Sequence, residues 1–246
     1  MAEQNIFDIP RFFEGYKEIR SREINYNNSI EQPAMNAMLP DLTGKTVLDL
    51  GCGYGFNCAD FIRRGAKRVL GIDISEKMLH IAKKESAHPC IEYRQMSMTE
   101  ISSLDTSFDL VYSSLAFHYI DDFKKLMTDI FGLLNGGGTL LFSQEHPFIT
   151  ASPKVGGFNL DRYGRRKSYT FTNYSRSGAR KEKWLDTDYI KYHRTVAKIF
   201  TDIAQSGFVI KEVCEPLPDM EAVEKCPEMA GEFVRPNFLI VKAVKI

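Results

Sequence analysis

The sequence lacks several features that mark specialised classes of protein. None of its apolar runs approaches the roughly 18 residues that a membrane-spanning helix needs, and its first residues do not resemble a signal peptide. Its five cysteines are odd in number and contain no Cys-x-x-Cys pair, which argues against a disulfide framework and a zinc site. With 32 basic and 32 acidic residues the formal net charge is +0, which argues against general affinity for nucleic acids or membrane surfaces. We therefore expect a cytoplasmic protein with reduced thiols and no metal site.

Length and composition fit one α/β domain that spans residues 1–246. The chain is 43% hydrophobic and 26% charged, so it can bury a sizeable core. Residues 1–40 mix aromatic and charged side chains and include Pro33 in the first turn of an amphipathic stretch, which predicts a helical arm ahead of the sheet. We expect this arm to pack over the rest of the domain.

The most informative stretch runs from Val47 to Gly55 and reads VLDLGCGYG. A short apolar run contains an acid and breaks into three alternating glycines, and helical spacing of apolar residues follows from Phe56. This pattern predicts a buried parallel strand that turns sharply into a helix. Glycines suit such a turn because they adopt positive φ and let a ligand lie against bare backbone.

The spacing of the glycines separates two kinds of ligand. A dinucleotide fingerprint, G-x-G-x-x-G, would place its third glycine at position 56, which is Phe. Asp49, two residues ahead of Gly51, disfavours a pyrophosphate and suits a ligand with an ammonium or sulfonium group. The stretch resembles the first motif of the class I S-adenosylmethionine-dependent methyltransferases, and the end of the chain is similar to their small-molecule branch (type-11, ubiquinone-biosynthesis-like). A nicotinamide-binding oxidoreductase and a non-catalytic adenosyl-binding protein are the alternatives.

A second predicted strand, Arg68–Asp73, also ends in an acid. Asp73 follows Gly53 by twenty residues, a separation at which a carboxylate can accept hydrogen bonds from both ribose hydroxyls of an adenosine. Capping of the next helix is the alternative role for this acid, although Ser75 also suits a cap. We favour ribose binding because of the spacing from the glycines.

The resemblance implies further cofactor contacts along the chain. Ser97 and Met98, after the third predicted strand, match positions that border the adenine, although Ser replaces the usual Asp. Ser114 and Leu115, after the fourth strand, match positions on the sulfur side. The cofactor-binding residues implied for S-adenosylmethionine and its product S-adenosylhomocysteine are Tyr16, Asp49, Gly51, Cys52, Gly53, Asp73, Ile74, Met78, Ser97, Met98, Ser114 and Leu115.

The order of the predicted elements indicates the fold. Strands alternate with helices up to a fifth strand at Thr139–Ser143, and two more strands follow near the end of the chain, which predicts a doubly wound α/β architecture. The resemblance implies a seven-stranded, mostly parallel sheet with an antiparallel last strand, the Rossmann-like methyltransferase fold. The helix before the fifth strand is predicted to run from Phe123 to Leu134 and to end in a turn at 135–138.

Residues 148–192 interrupt this alternation and form a predicted cap insertion. Between Pro153 and Trp184 there are nine basic residues and two acids. Alternation over 169–174, a turn signal at 175–178 and a returning segment at 181–192 predict one hairpin over the cleft. Three roles fit this basic and aromatic cap: attraction of an anionic small acceptor, docking of RNA, or a solvated charged face.

Three of the five histidines are predicted to flank the cleft. His118 follows the fourth strand, His146 follows the fifth, and His193 precedes the last long helix. An imidazole suits a base that removes a proton from a methyl acceptor, so we expect at least one of them to contact substrate. The predicted function is transfer of a methyl group to a small-molecule acceptor by direct in-line displacement, with RNA as the alternative acceptor.

Overall fold

A computed structural model describes residues 4–151 and 157–246 of the chain. Within these ranges the α-helices are α1 (Pro10–Ser21), α2 (Gln32–Met38), α3 (Phe56–Arg63), α4 (Glu76–Glu85), α5 (Phe123–Leu133), α6 (Pro147–Thr150), α7 (Val196–Gln205) and α8 (Met220–Lys225). The strands are β1 (Thr46–Leu50), β2 (Arg68–Asp73), β3 (Ile91–Gln95), β4 (Phe108–Ser113), β5 (Leu134–Glu145), β6 (Gly157–Leu160), β7 (Arg166–Thr170), β8 (Gly178–Trp184), β9 (Thr187–His193), β10 (Phe208–Cys214) and β11 (Phe238–Lys245).

Seven strands form one sheet in the order β10-β11-β5-β4-β1-β2-β3. β1 is parallel to β2 and β4, while β11 is antiparallel to both of its neighbours, β5 and β10. The predicted doubly wound, mostly parallel sheet with an antiparallel last strand is confirmed. The carboxyl ends of β1, β2 and β4 meet at one edge of this sheet, which is where open α/β sheets bind their ligands.

Hydrophobic side chains cover both faces of the sheet. In β1, Leu48 and Leu50 belong to a buried cluster with α5 and α7, whereas Val47 belongs to a second cluster with α2 and α3. Central strands that are covered on both sides read as continuous apolar runs rather than as alternating patterns. The sheet is therefore a firm support for the loops at its carboxyl edge.

The junction between α5 and β5 differs from its predicted form. α5 ends at Leu133, one residue earlier than predicted, and β5 begins at Leu134, five residues before the predicted start at Thr139. The segment 135–138 is not a free turn but an irregular part of the strand, and its pairing with β4 shifts register before it resumes at Thr139. Gly137 has a φ of 77°, which lets the chain bulge at this point.

The insertion forms two hairpins and not the single one predicted. β6 pairs with β7 and β8 pairs with β9, all antiparallel. The predicted pairing of 169–174 with 181–192 is wrong because β8 turns back at Leu185 and Asp186, whose φ values of 49° and 58° form a tight two-residue turn. Part of the predicted insertion, 152–156, lies outside the described residues.

The N-terminal arm consists of a 3-10 turn (Ile6–Asp8), α1, a π-helical turn (Asn27–Glu31) and α2. Asp8 caps α4, since its carboxylate accepts hydrogen bonds from Ser75 Oγ at 2.5 Å and from the Lys77 N–H at 3.1 Å. Gln4 pairs with the main chain of Ile190 in β9 through two hydrogen bonds of 3.0 and 2.6 Å. These contacts hold the arm against both the sheet edge and the second hairpin.

Two global features of the described residues bear on the protein's class. No helix in the ranges 4–151 and 157–246 is long and apolar enough to cross a bilayer. All five cysteines are free thiols, of which Cys52 and Cys58 are buried and Cys90 is exposed.

Candidate functional site

The glycine turn after β1 has the predicted strand–turn–helix form. The N–H groups of Gly51 and Cys52 both donate to the carbonyl oxygen of Ile72 at 2.9 Å, which ties the turn to the end of β2. Gly55 is the N-cap of α3 with a φ of 75°, and a Cβ there would lie 2.2 Å from the hydroxyl of Tyr93. Glycine is therefore required at this position by both backbone and space.

Gly53 differs from Gly55 because the space beside it is open. Its φ is 54°, but no atom lies within 4 Å of the position that a Cβ would take. Its N–H donates to Asp73 Oδ2 at 2.9 Å. The open side of Gly53 is thus a stretch of bare backbone against which a ligand can lie.

Asp73, at the end of β2, is held by main-chain hydrogen bonds. One carboxylate oxygen accepts from Gly53 and the other accepts from the Ser75 N–H at 2.8 Å. Burial raises the pKa of Asp73 to about 6, although both hydrogen bonds act in the opposite direction. The carboxylate is ionised at neutral pH, and it lies in a fixed orientation beside the bare backbone of Gly53.

A cavity of about 290 Å³ lies at this edge of the sheet. The structure brings ten of the twelve predicted cofactor-binding residues into its wall: Tyr16, Gly51, Cys52, Gly53, Asp73, Ile74, Met78, Met98, Ser114 and Leu115. These residues come from the arm, the glycine turn and the segments after β2, β3 and β4. The cavity therefore lies where the carboxyl ends of neighbouring parallel strands converge.

The other two predicted cofactor residues do not line the cavity. Asp49 is buried beneath the glycine turn, where it accepts a hydrogen bond from Cys58 Sγ at 3.2 Å, and burial raises its pKa to about 7. The hydroxyl of Ser97 accepts from the Thr99 N–H at 3.0 Å and so stabilises a local turn. Any influence of Asp49 on a ligand passes through the turn, and Met96, beside Ser97, lines the wall instead.

Sequence reasoning missed much of the contribution of the arm. Gln4, Ile6, Phe7, Arg20 and Gln32 all line the cavity, as do Asn27 and Asn28 of the π-helical turn. The arm showed only a mixture of aromatic and charged residues, and no spacing in it specified which side chains would reach the sheet edge. A π-helical turn is common at functional sites, but it has no sequence signature.

Glu31 was also missed. It is fully buried at the end of the π-helical turn, and it accepts hydrogen bonds from the hydroxyls of Ser114 and Ser143 at 2.8 and 2.5 Å. Ser143 Oγ in turn accepts from the N–H of Leu115, a residue of the cavity wall with a φ of 54°. This chain of hydrogen bonds holds a left-handed residue in place after β4, a conformation that costs energy for any residue except glycine.

His118 does not reach the cavity, contrary to its predicted position at the cleft. It is buried on a 3-10 turn, and its Nδ1 accepts a hydrogen bond from the Glu145 N–H at 3.4 Å. Burial lowers its pKa to about 4. The next two residues, Tyr119 and Ile120, line the cavity instead, because successive side chains of a tight turn point in different directions.

His146 and His193 also lie outside the cavity wall. His146 caps α6 by accepting from the Phe148 N–H at 3.1 Å, and its Nε2 lies 2.9 Å from a carboxylate oxygen of Glu215. His193 is fully buried between Thr150 Oγ1 and the carbonyl oxygen of Tyr174, each at 2.7 Å. Both imidazoles have structural partners at each ring nitrogen. Among the described residues, no histidine lines the cavity.

Two buried polar atoms in the cavity wall have no hydrogen-bond partner within the described parts of the chain. They are Nη1 of Arg20 and the hydroxyl of Tyr54. Buried polar atoms are rarely left unpaired, so both point to groups of a ligand. A guanidinium suits a carboxylate such as that of the amino-acid end of S-adenosylmethionine, while Asp73 and the bare backbone of Gly53 suit its ribose. The residues present therefore fit this cofactor.

Comparison with known proteins gives consistent matches. A family model described as a methyltransferase domain matches residues 48–142. An S-adenosylmethionine-dependent methyltransferase from Mesorhizobium loti is 39% identical with a TM-score of 0.81, covering 87% of this chain and 97% of that one. A Listeria monocytogenes structure given the same class name is 38% identical with a TM-score of 0.80, covering 88% and 96%. A Haemophilus influenzae protein is 34% identical over 98% of this chain and 97% of its own length.

The three relatives are 34–39% identical to this chain and match it over 87–98% of its length and 96–97% of theirs. They agree with the glycine turn, with Asp73 at the end of β2 and with the cavity between them, and they give no support to a nicotinamide-binding oxidoreductase. The chain belongs to the S-adenosylmethionine-dependent methyltransferases, and it is an enzyme that uses S-adenosylmethionine as its cofactor.

Proposed function

We propose that the enzyme methylates a small molecule by direct in-line displacement. The observation that carries this proposal is the position of the arm, because Gln4, Phe7 and Tyr16 form part of the wall of a cavity of only about 290 Å³. That volume lies near the lower limit of ligand-binding cavities. A small acceptor can enter such a cavity whole, whereas a folded RNA or a protein would have to insert a single projecting group.

The chain's own residues have separable roles in this proposal. Asp73 accepts hydrogen bonds from the ribose hydroxyls, the bare backbone of Gly53 contacts the ligand, and Arg20 pairs with the amino-acid carboxylate. Met96 and Met98 supply apolar surface for the adenine. The cofactor supplies an electrophilic methyl group on a sulfonium. The protein needs only to orient donor and acceptor and to exclude water.

RNA remains the second candidate acceptor because of one exposed feature. At the tip of the first hairpin, Tyr163 is 65% exposed and the guanidinium groups of Arg162 and Arg165 lie 4.7 and 5.1 Å from its ring centroid. Arginine and tyrosine together suit phosphates and stacked bases. None of these three residues lines the cavity, so the hairpin would have to act as a docking surface.

Transfer of a labelled methyl group distinguishes the two acceptors. The protein is incubated with S-adenosylmethionine carrying a tritiated methyl group and a bacterial extract, which is then separated into small-molecule, RNA and protein fractions. We expect label in the small-molecule fraction, no label with Asp73→Asn, and unchanged labelling with Tyr163→Ala. Label in RNA that is lost with Tyr163→Ala would overturn the small-molecule proposal and support the second candidate.

A further inference from the structure

Three aromatic rings form a corner in the wall of the cavity. The ring of Phe7 lies nearly perpendicular to that of Tyr16, with centroids 5.3 Å apart and an angle of 80°. It is also perpendicular to that of Tyr119, at 6.1 Å and 90°. All three residues line the cavity. Aromatic rings that line a cavity attract an organic cation through their π faces, so a group of three rings in one wall is a candidate recognition site for such a cation.

The charges of the cavity also favour a cation over an anion. Of the described residues that line it, only Arg20 and Asp73 are ionic, and no lysine or histidine is present. Arg20 has its own role at the amino-acid end of the cofactor in the proposed function. The cavity therefore has no second positive group for an anionic acceptor. The basic hairpins do not supply one, because no described residue of β6 to β9 lines the cavity.

The corner belongs to the same cavity as Asp73 and Arg20, the two charged residues of the proposed cofactor site. Tyr16 is half-buried, and desolvation raises the pKa of its hydroxyl; it is close enough to Arg20, Asp73 and Glu31 for their charges to act on it as well. Burial likewise raises the pKa of Tyr119 far above neutrality. Both rings are therefore neutral at physiological pH. Asp73 would hold the ribose and Arg20 the carboxylate of the cofactor, and the three rings line the same cavity as these two residues.

We propose that the corner formed by Phe7, Tyr16 and Tyr119 selects a small amine as the methyl acceptor, so that the enzyme is an N-methyltransferase. This inference rests on the proposed function. The lone pair of the neutral amine nitrogen forms the new N–C bond while the S–C bond breaks, and its electron pair goes to sulfur. The positive charge passes from sulfur to nitrogen, and any N–H proton of the product ammonium leaves to water.

Aromatic faces suit this reaction because a positive charge is present throughout, first on the sulfonium and then on the ammonium product. Rings preorganised around the developing ammonium stabilise it in the transition state without any general base in the wall. A carboxylate or phenolate acceptor would instead neutralise the charge of the sulfonium as the bond forms. The corner would then offer no advantage to the transition state. This reading replaces the anionic acceptor that the basic cap had suggested.

Three probes of similar shape and different charge test the inference by titration calorimetry. The protein is first saturated with S-adenosylhomocysteine, and that binding is recorded. The complex is then titrated with choline, with its neutral isostere 3,3-dimethylbutan-1-ol, and with the anion 3,3-dimethylbutanoate. We expect choline to bind at least about tenfold more tightly than either of the others.

Variants of the corner provide the matched control. Tyr119→Leu and Phe7→Leu should each weaken choline binding by about 3- to 30-fold, whereas Tyr119→Phe keeps the ring and should keep the affinity. Equal or tighter binding of the neutral or anionic probe overturns the inference, and so does unchanged choline binding in Tyr119→Leu. A wild-type protein that does not bind S-adenosylhomocysteine overturns the proposed function itself, and the inference with it.

Discussion

Substitution of Gly53 by alanine separates folding from ligand binding. Gly53 has a φ of 54° and an empty space where a Cβ would project, on the side where the cofactor is proposed to lie. Gly44, in the turn before β1, is a matched control, with a φ of 71°, no atom within 4 Å of its Cβ position, and no place in the cavity wall. Both substitutions introduce the same left-handed strain, but only one adds a methyl group to the cavity.

The structure gives magnitudes for both effects. A left-handed alanine costs about 1–2 kcal/mol, so each variant should lose about 2–8 °C in Tm without ligand. S-adenosylhomocysteine at 100 times its Kd stabilises a protein by about 2.7 kcal/mol, and this gain falls to about 1.4 kcal/mol if affinity drops tenfold. We expect the full gain in wild type and Gly44→Ala, and half of it or less in Gly53→Ala.

Thermal denaturation with and without S-adenosylhomocysteine measures all of these quantities. The reasoning is refuted if Gly53→Ala shows the same ligand-dependent rise in Tm as wild type, because the ligand then does not lie against this backbone. It is also refuted if Gly53→Ala does not fold while Gly44→Ala does. In that case the space beside Gly53 is not open in the folded protein.

Three other predictions follow from buried charges. Burial raises the pKa of Asp73 to about 6, so the affinity for S-adenosylhomocysteine should fall about tenfold between pH ~7.5 and pH ~5 in calorimetric titrations. If the affinity of Asp73→Asn falls by a similar factor over the same pH range, Asp73 is not the group that titrates. Burial lowers the pKa of His118 to about 4, so the folded protein favours the neutral imidazole. The stability that His118 contributes is therefore present above pH ~6.5. It is lost as the pH falls through about 4, by up to roughly 3 kcal/mol. Urea unfolding of His118→Gln should show a smaller loss at acidic pH than wild type, and an equal loss would show that another group is responsible. The buried Nζ of Lys191 lies 2.6 and 2.8 Å from carboxylate oxygens of Glu145 and Glu182. Lys191→Met should therefore lower the free energy of unfolding by about 3–5 kcal/mol. A loss below about 1 kcal/mol would show that the two carboxylates find other partners.

The sheet and the glycine turn could be predicted because their causes are local. Val47 to Gly55 carries the strand, the positive-φ positions and the start of the next helix in one short segment, and Asp73 follows at a separation set by one helix and one strand. Such local patterns have the same structural meaning in any fold that keeps this strand order. The ten predicted residues in the cavity wall come mainly from segments of this kind.

The remaining features depend on contacts between distant parts of the chain. Arg20 and Gln32 reach the cavity only because the arm folds back over the sheet edge, and no spacing in the arm specifies that path. His118 was placed correctly along the chain but faces away from the cavity, because a one-residue step around a tight turn reverses the direction of a side chain. The hairpins were paired wrongly because Leu185 and Asp186 form a turn without the glycine or asparagine that usually marks one.

Gln4 couples the stability of the second hairpin to ligand binding in the cavity. Its side chain belongs to the cavity wall and also replaces a strand partner for Ile190 in β9. A ligand that stabilises the arm therefore stabilises the outer edge of β9, and linkage requires that anything holding β9 in place raises the affinity of that ligand by the same factor. Amide protons along β9 should consequently exchange with solvent more slowly when a ligand occupies the cavity. Hydrogen exchange in this hairpin, none of whose described residues lines the cavity, would then detect ligand binding.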